Sequence, residues 1–150
     1  MNLSNTNTQN TTVQWFNRIA LFVVFFWFVT LKVVGVSPAE QIVTQLHALT
    51  LAKYISINTF LPFLGYLECF IGIIWLVPRL TKLAFFLFCC QMATTFLPLL
   101  LMPNETWQSL FALSLPGQYI IKNVVLIASA YTIYHAEGGQ RIKLSPLSVD

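Results

Sequence analysis

Four apolar runs organise the chain: residues 19–36 (IALFVVFFWFVTLKVVGV), 60–77 (FLPFLGYLECFIGIIWLV), 83–102 (LAFFLFCCQMATTFLPLLLM) and 117–135, which opens GQYIIKNVVLIASAYTIY. Each is close to the ~20 residues that carry a helix across the hydrocarbon core of a bilayer. None alternates with period two, so a membrane barrel is excluded. Helices satisfy every backbone group internally, and the pattern therefore predicts an all-α transmembrane four-helix bundle over residues 15–136. Between the first two runs, SPAE places Ser37 at an N-cap, Pro38 at the first helical position and Glu40 where a capping box needs it. Ile42, Leu46, Leu49 and Lys53 follow at helical spacing, so a short amphipathic helix is expected in this first loop. Residues 1–14, mostly Asn, Thr, Gln and Ser, are expected to form a disordered tail, and residues 137–150 a second tail. The first run is long for a signal peptide, and Pro38 would follow the cut after Ser37, so it is read as a span.

Composition agrees with this pattern. Of 150 residues, 57% are hydrophobic and 9% charged, against about 25% charged in a soluble domain. That is too little polar surface to cover a water-soluble globule. The few charges also suggest an orientation. Arg18, Arg79, Lys82, Arg141 and Lys143 fall on one side of a four-span arrangement, and Lys53, Glu40 and Glu105 on the other. The positive-inside rule then places both termini of a multi-pass membrane protein in the cytoplasm. Trp15, Trp75 and Tyr134 would mark one interface and Tyr54 and Trp107 the other.

Three charges do not fit loops: Lys32, Glu68 and Lys122 each lie inside a span. At ~1.5 Å per residue, Lys32 is about 21 Å above Arg18, Glu68 about 16 Å above Arg79 and Lys122 about 20 Å above His135. All three reach a similar depth, where a lone charge costs at least ~2.5–3.5 kcal/mol. Mutual pairing is the simplest remedy. Gly65, Glu68 and Gly72 share a helix face, as do Gln91, Thr94, Thr95 and Pro98, and as do Gln118, Lys122 and Ser129. Turned inward, these faces would form a buried cluster of Lys32, Glu68, Lys122, Asn123, Gln118 and Gln91, with two amines against one carboxylate. Such a cluster either fixes packing or receives a ligand: a small anion, or the carbonyl of a quinone. Pro62 and Pro98 would bend their spans near the same level.

Other chemistries find no support. Cys69, Cys89 and Cys90 form no C-x-x-C pair, which argues against a thiol relay. His47 and His135 fall on opposite sides of the bilayer and cannot share a haem. There is no set of metal ligands, no phosphate loop, no catalytic motif, and no basic stretch of the kind that binds nucleic acid.

Three segments resemble the DoxX-like superfamily of small four-span membrane proteins. FFWFVTLKVVGVSPAEQIV is similar to its first span, GYLECFIGIIWLVPRLTKLA to its G-x-x-E-x-x-x-G segment, and PGQYIIKNVVLIASA to its final-span G-Q-[YF]-x-x-K-[ND] signature. Lys32, Glu68, Gln118, Lys122 and Asn123 fall on matching positions, while Val29 stands where many relatives have glycine. The resemblance implies an inner-membrane four-helix bundle tied to redox or oxidative-stress systems, acting as an accessory subunit rather than an enzyme by itself. It also implies one alternative, the membrane subunit of a thiosulfate:quinone-type oxidoreductase with a soluble redox partner. The buried charges leave a second open, a small-anion or metabolite transporter, which with so few spans would act as a homo-oligomer.

Overall fold

A computed structural model describes the backbone of residues 3–37 and 39–144, and the side chains of residues 11–37 and 39–137. Within that range the chain is mostly helical. The elements are α1 (Leu3–Val33), α2 (Glu40–Thr50), α3 (Ile57–Trp75), a 3-10 turn (Pro78–Leu80), α4 (Thr81–Leu101), α5 (Pro103–Thr106), a hairpin of β1 (Trp107–Ser109) and β2 (Ala112–Leu113), and α6 (Leu115–Leu144).

The long helices α1, α3, α4 and α6 pack in a ring: α1 lies on α3, α3 on α4, α4 on α6, and α6 closes on α1. The short 3-10 turn makes α3 and α4 antiparallel neighbours. Three helical segments are long and apolar enough to cross a membrane: Thr11–Val33, Ile57–Trp75 and Pro78–Leu101. Their outer surfaces carry large apolar side chains, among them Phe16, Trp27, Phe63, Phe86 and Leu100. Contiguous apolar surface of this kind needs lipid or protein to cover it. The fourth long helix, α6, is not among those three. Gln118, Lys122 and Asn123 dilute its first turns.

The core lies where the four helices converge. Leu21 and Phe25 of α1 meet Ile71, Ile74 and Trp75 of α3, Ala84, Phe88 and Met92 of α4, and Ala130 and Ile133 of α6. The rings of Phe25 and Trp75 each stand edge-on to Phe88, with centroids 6.0 Å apart. Trp75 is therefore a core residue, not an interface anchor. Gly72 lets α1 and α3 close up, since a Cβ there would lie 3.1 Å from Phe25 Cβ. Gly65, on the face shared with Glu68 and Gly72, looks onto open space.

Several boundaries differ from expectation. The polar residues assigned to a disordered tail are helical from Leu3 onward. Adding turns to an existing helix costs far less than nucleating one, so poor helix formers can extend a span. At its other end α1 stops in a Schellman motif. Gly35 takes φ +73°, its N–H donates to Lys32 O (3.1 Å), and Val36 N–H donates to Leu31 O (3.0 Å). Helix α2 begins at Glu40, two residues after the expected start at Pro38, and without a capping box: Ala39 precedes it, and Ser37 Oγ is buried with no partner among the described residues. Pro38, part of that expectation, lies outside the described residues. Helix α2 also ends at Thr50, short of Lys53. At the C-terminal end, α6 runs through residue 144, so the second tail is helical there, and residues 145–150 lie outside the description. The hairpin after α5 was not anticipated. Its strands are too short to show a period, and Phe111 turns the corner at φ 66°.

Candidate functional site

Helix α1 carries two cations on one face. Arg18, Leu21, Phe25 and Lys32 follow at steps of about three, four and seven residues, the repeat that keeps a stripe facing a neighbouring helix. The apolar pair enters the core, and each cation meets a carboxylate from another helix.

The first cluster is the one expected from charge cost. Lys32 Nζ lies 2.5 Å from Glu68 Oε2 of α3. The other carboxylate oxygen, Oε1, accepts a hydrogen bond from Gln91 Nε2 of α4 at 3.2 Å. Three helices are thus joined through Glu68, whose residue exposure is 9%. The pair is not sealed, because the side chains of Lys32 and Glu68 keep 14% and 12% of their surface accessible. An ammonium has three donors, so Lys32 holds more donors than this pairing uses. Gln91 likewise keeps a second N–H and its carbonyl. Thr94 and Thr95 do not add to the site, since both hydroxyls donate to the carbonyl of Gln91 within their own helix, at 2.8 and 2.9 Å.

Lys122 does not join. Helix α6 packs on α4 and α1, across the ring from α3, which holds Glu68. Lys122 is also two residues from the buried Ile120, hence about 200° around the helix. It is exposed, and its ammonium lies 5.1 Å from the centre of the Tyr119 ring on its own helix. Gln118 is exposed as well and donates to Leu113 O at 3.3 Å. Asn123 is half-buried and makes no hydrogen bond to Lys32, Glu68 or Gln91. The expected six-residue cluster is therefore a trio: Lys32, Glu68 and Gln91. It pairs one amine with one carboxylate and carries no formal excess charge.

The second cluster centres on Arg18, counted above among the charges of the cytoplasmic side. Arg18 is 2% exposed. Its Nη1 donates to Trp75 O of α3 at 2.7 Å, and its Nη2 donates to Thr81 Oγ1 of α4 at 2.7 Å. The same Nη2 forms an ion pair with Glu137 of α6. One guanidinium thus touches the other three long helices. The planar fork of five donors suits that task, which a lysine could not perform. The 3–4–7 spacing with Leu21, Phe25 and Lys32 was the available signal for its burial.

Neither cluster resembles a metal centre: among the described residues no group of three or more His, Cys, Asp and Glu side chains could hold an ion. The three cysteines are free, with Cys69 half-buried and Cys89 and Cys90 exposed. No family model, no curated protein and no solved structure matches this chain.

Proposed function

We propose that the chain is a DoxX-like integral membrane protein of an inner (plasma) membrane, acting as a redox- or oxidative-stress-associated accessory subunit. In this reading α6 is a fourth span and both termini are cytoplasmic. Without Arg18, which is buried, the charge bias still rests on Arg79 and Lys82 in the α3–α4 turn against Lys53 on the opposite side.

The observation that carries the functional part is the Lys32–Glu68–Gln91 trio, which brings an ammonium with unused donors to a partly open position between apolar helices. Intramembrane ionisable groups are kept where they serve a pathway or a ligand. A neutral trio with spare N–H groups suits the carbonyl oxygen of a quinone better than a free anion.

The test is mass spectrometry of small molecules that survive gentle detergent extraction. Wild type should release a quinone, and Lys32→Met should release much less. A wild-type preparation without quinone, or equal amounts from both proteins, refutes the proposal. Thiosulfate-dependent quinone reduction by the purified chain with a soluble partner would instead make it the membrane subunit of an oxidoreductase.

A further inference from the structure

Lys122 is left with no carboxylate. The ion pairs among the described residues join Arg18 to Glu137 and Lys32 to Glu68. It projects from the outer face of α6 and stacks over Tyr119, three residues nearer the start of the helix. An exposed, unpaired ammonium on the lipid-facing side of a bundle needs a counter-charge from its surroundings.

We propose that Lys122 and Tyr119 form the seat of an anionic phospholipid headgroup. The inference rests on α6 being a span. Three observations favour lipid phosphate over other occupants. First, Lys122 is only about 10 Å from the start of α6 at 1.5 Å per residue. Its side chain runs back toward that start, onto Tyr119, as a snorkelling lysine does. Second, the exposed hairpin tip, Leu110 and Phe111, lies at the same end of the bundle. Apolar and aromatic groups at that level belong to the headgroup boundary. Third, a second copy related by a two-fold axis along the membrane normal would set Lys122 against Lys122, which charge forbids. A partner helix with a carboxylate at mid-depth would draw the ammonium inward, opposite to its observed direction.

Native mass spectrometry of the full chain, exchanged from detergent into mixed phosphatidylglycerol and phosphatidylcholine, tests this. Wild type should retain phosphatidylglycerol selectively. Lys122→Gln should lower that retention about fivefold, the value of one lysine near an anionic surface. Lys122→Arg should preserve it, as should Lys82→Gln at the opposite end. Tyr119→Leu, which keeps the charge but removes its platform, should reduce it. Equal retention of both lipids, or unchanged selectivity in Lys122→Gln and Tyr119→Leu, overturns the proposal. So does a co-purifying protein that cross-links at position 122. Quinone content should be unaltered in Lys122→Gln, so the two sites succeed or fail separately. Recovery of the chain in the soluble fraction would sink the membrane reading itself.

Discussion

Replacing Arg18 with methionine should be the most damaging single change in the bundle. The guanidinium is buried and bonds Trp75 O, Thr81 Oγ1 and Glu137. Methionine fills similar space but offers no donor. The substitution leaves the Glu137 carboxylate unpaired and strips a partner from the Trp75 carbonyl, at a helix end where intrahelical donors run out. Removing one member of a buried ion pair costs about 3–5 kcal/mol. For a chain of this size each kcal/mol lowers the melting temperature by about 2–4 °C, so a fall on the order of 10 °C is expected. Thermal melting in detergent, followed by circular dichroism or by aggregation, measures it. Glu137→Gln, which keeps an acceptor, should cost less. The double variant Arg18→Met/Glu137→Gln should recover part of the loss, because no buried charge is then stranded. If Arg18→Met melts within about 2 °C of wild type, or the two single losses simply add, the guanidinium does not tie the helices together as described.

Three further outcomes follow from the same geometry. Glu68→Gln should lower stability by about 2 kcal/mol, because Lys32 loses its counter-charge, while Lys122→Met should stay within about 0.5 kcal/mol of wild type; equal losses in the two would restore Lys122 to the cluster. Gly117→Ala should destabilise by about 1–3 kcal/mol, since its Cβ would stand 2.1 Å from Thr106 O, whereas Gly65→Ala, facing open space, should be neutral or mildly stabilising in the same melt. Cys89 and Cys90 are exposed on α4, and a thiol facing lipid stays protonated and unreactive, so in intact membranes both should resist maleimide and label only after denaturation; labelling of intact membranes by a charged, impermeant maleimide would show that this part of α4 faces water.

The parts of the fold that were legible are those where one strong term dominates. Runs of about twenty apolar residues leave little but spanning helices, and the cost of Glu68 in such a run required a cation nearby. Lys32 met that need because α1 and α3 are ring neighbours. Lys122 met the same depth condition but not the rotational one. Helix α6 is apolar on several sides, so its polar residues alone could not tell whether Ile120 or Lys122 turns inward. Arg18 failed in the opposite way. Its place near the end of an apolar run reads as an anchor, and only its register with Leu21, Phe25 and Lys32 betrays burial. Gly35 gave no sign in the hydropathy pattern, yet it takes positive φ in the turn that stops α1. The capping box at Ser37 was a local signal that the structure does not use, since its hydroxyl is buried with no hydrogen-bond partner among the described residues.

With Lys122 outside the trio, the site attracts a different class of ligand. Two amines against one carboxylate would present a net positive charge, and any small anion would gain from entering. The observed trio sums to zero, because Glu68 offsets Lys32 and Gln91 is neutral. A free anion would then face Glu68 as well as Lys32 and lose its hydration with little return, since burying a charge is costly unless it is paired. A neutral carbonyl brings no such cost and needs only a donor. In the proposed reading Glu68 is a positioning residue: one oxygen holds the ammonium and the other holds the Gln91 amide, which orients both donors. On this argument Glu68→Gln should impair quinone retention even though Glu68 need not touch the quinone. Substituting it should also not convert the site into one for anions unless Lys32 stays charged and in place.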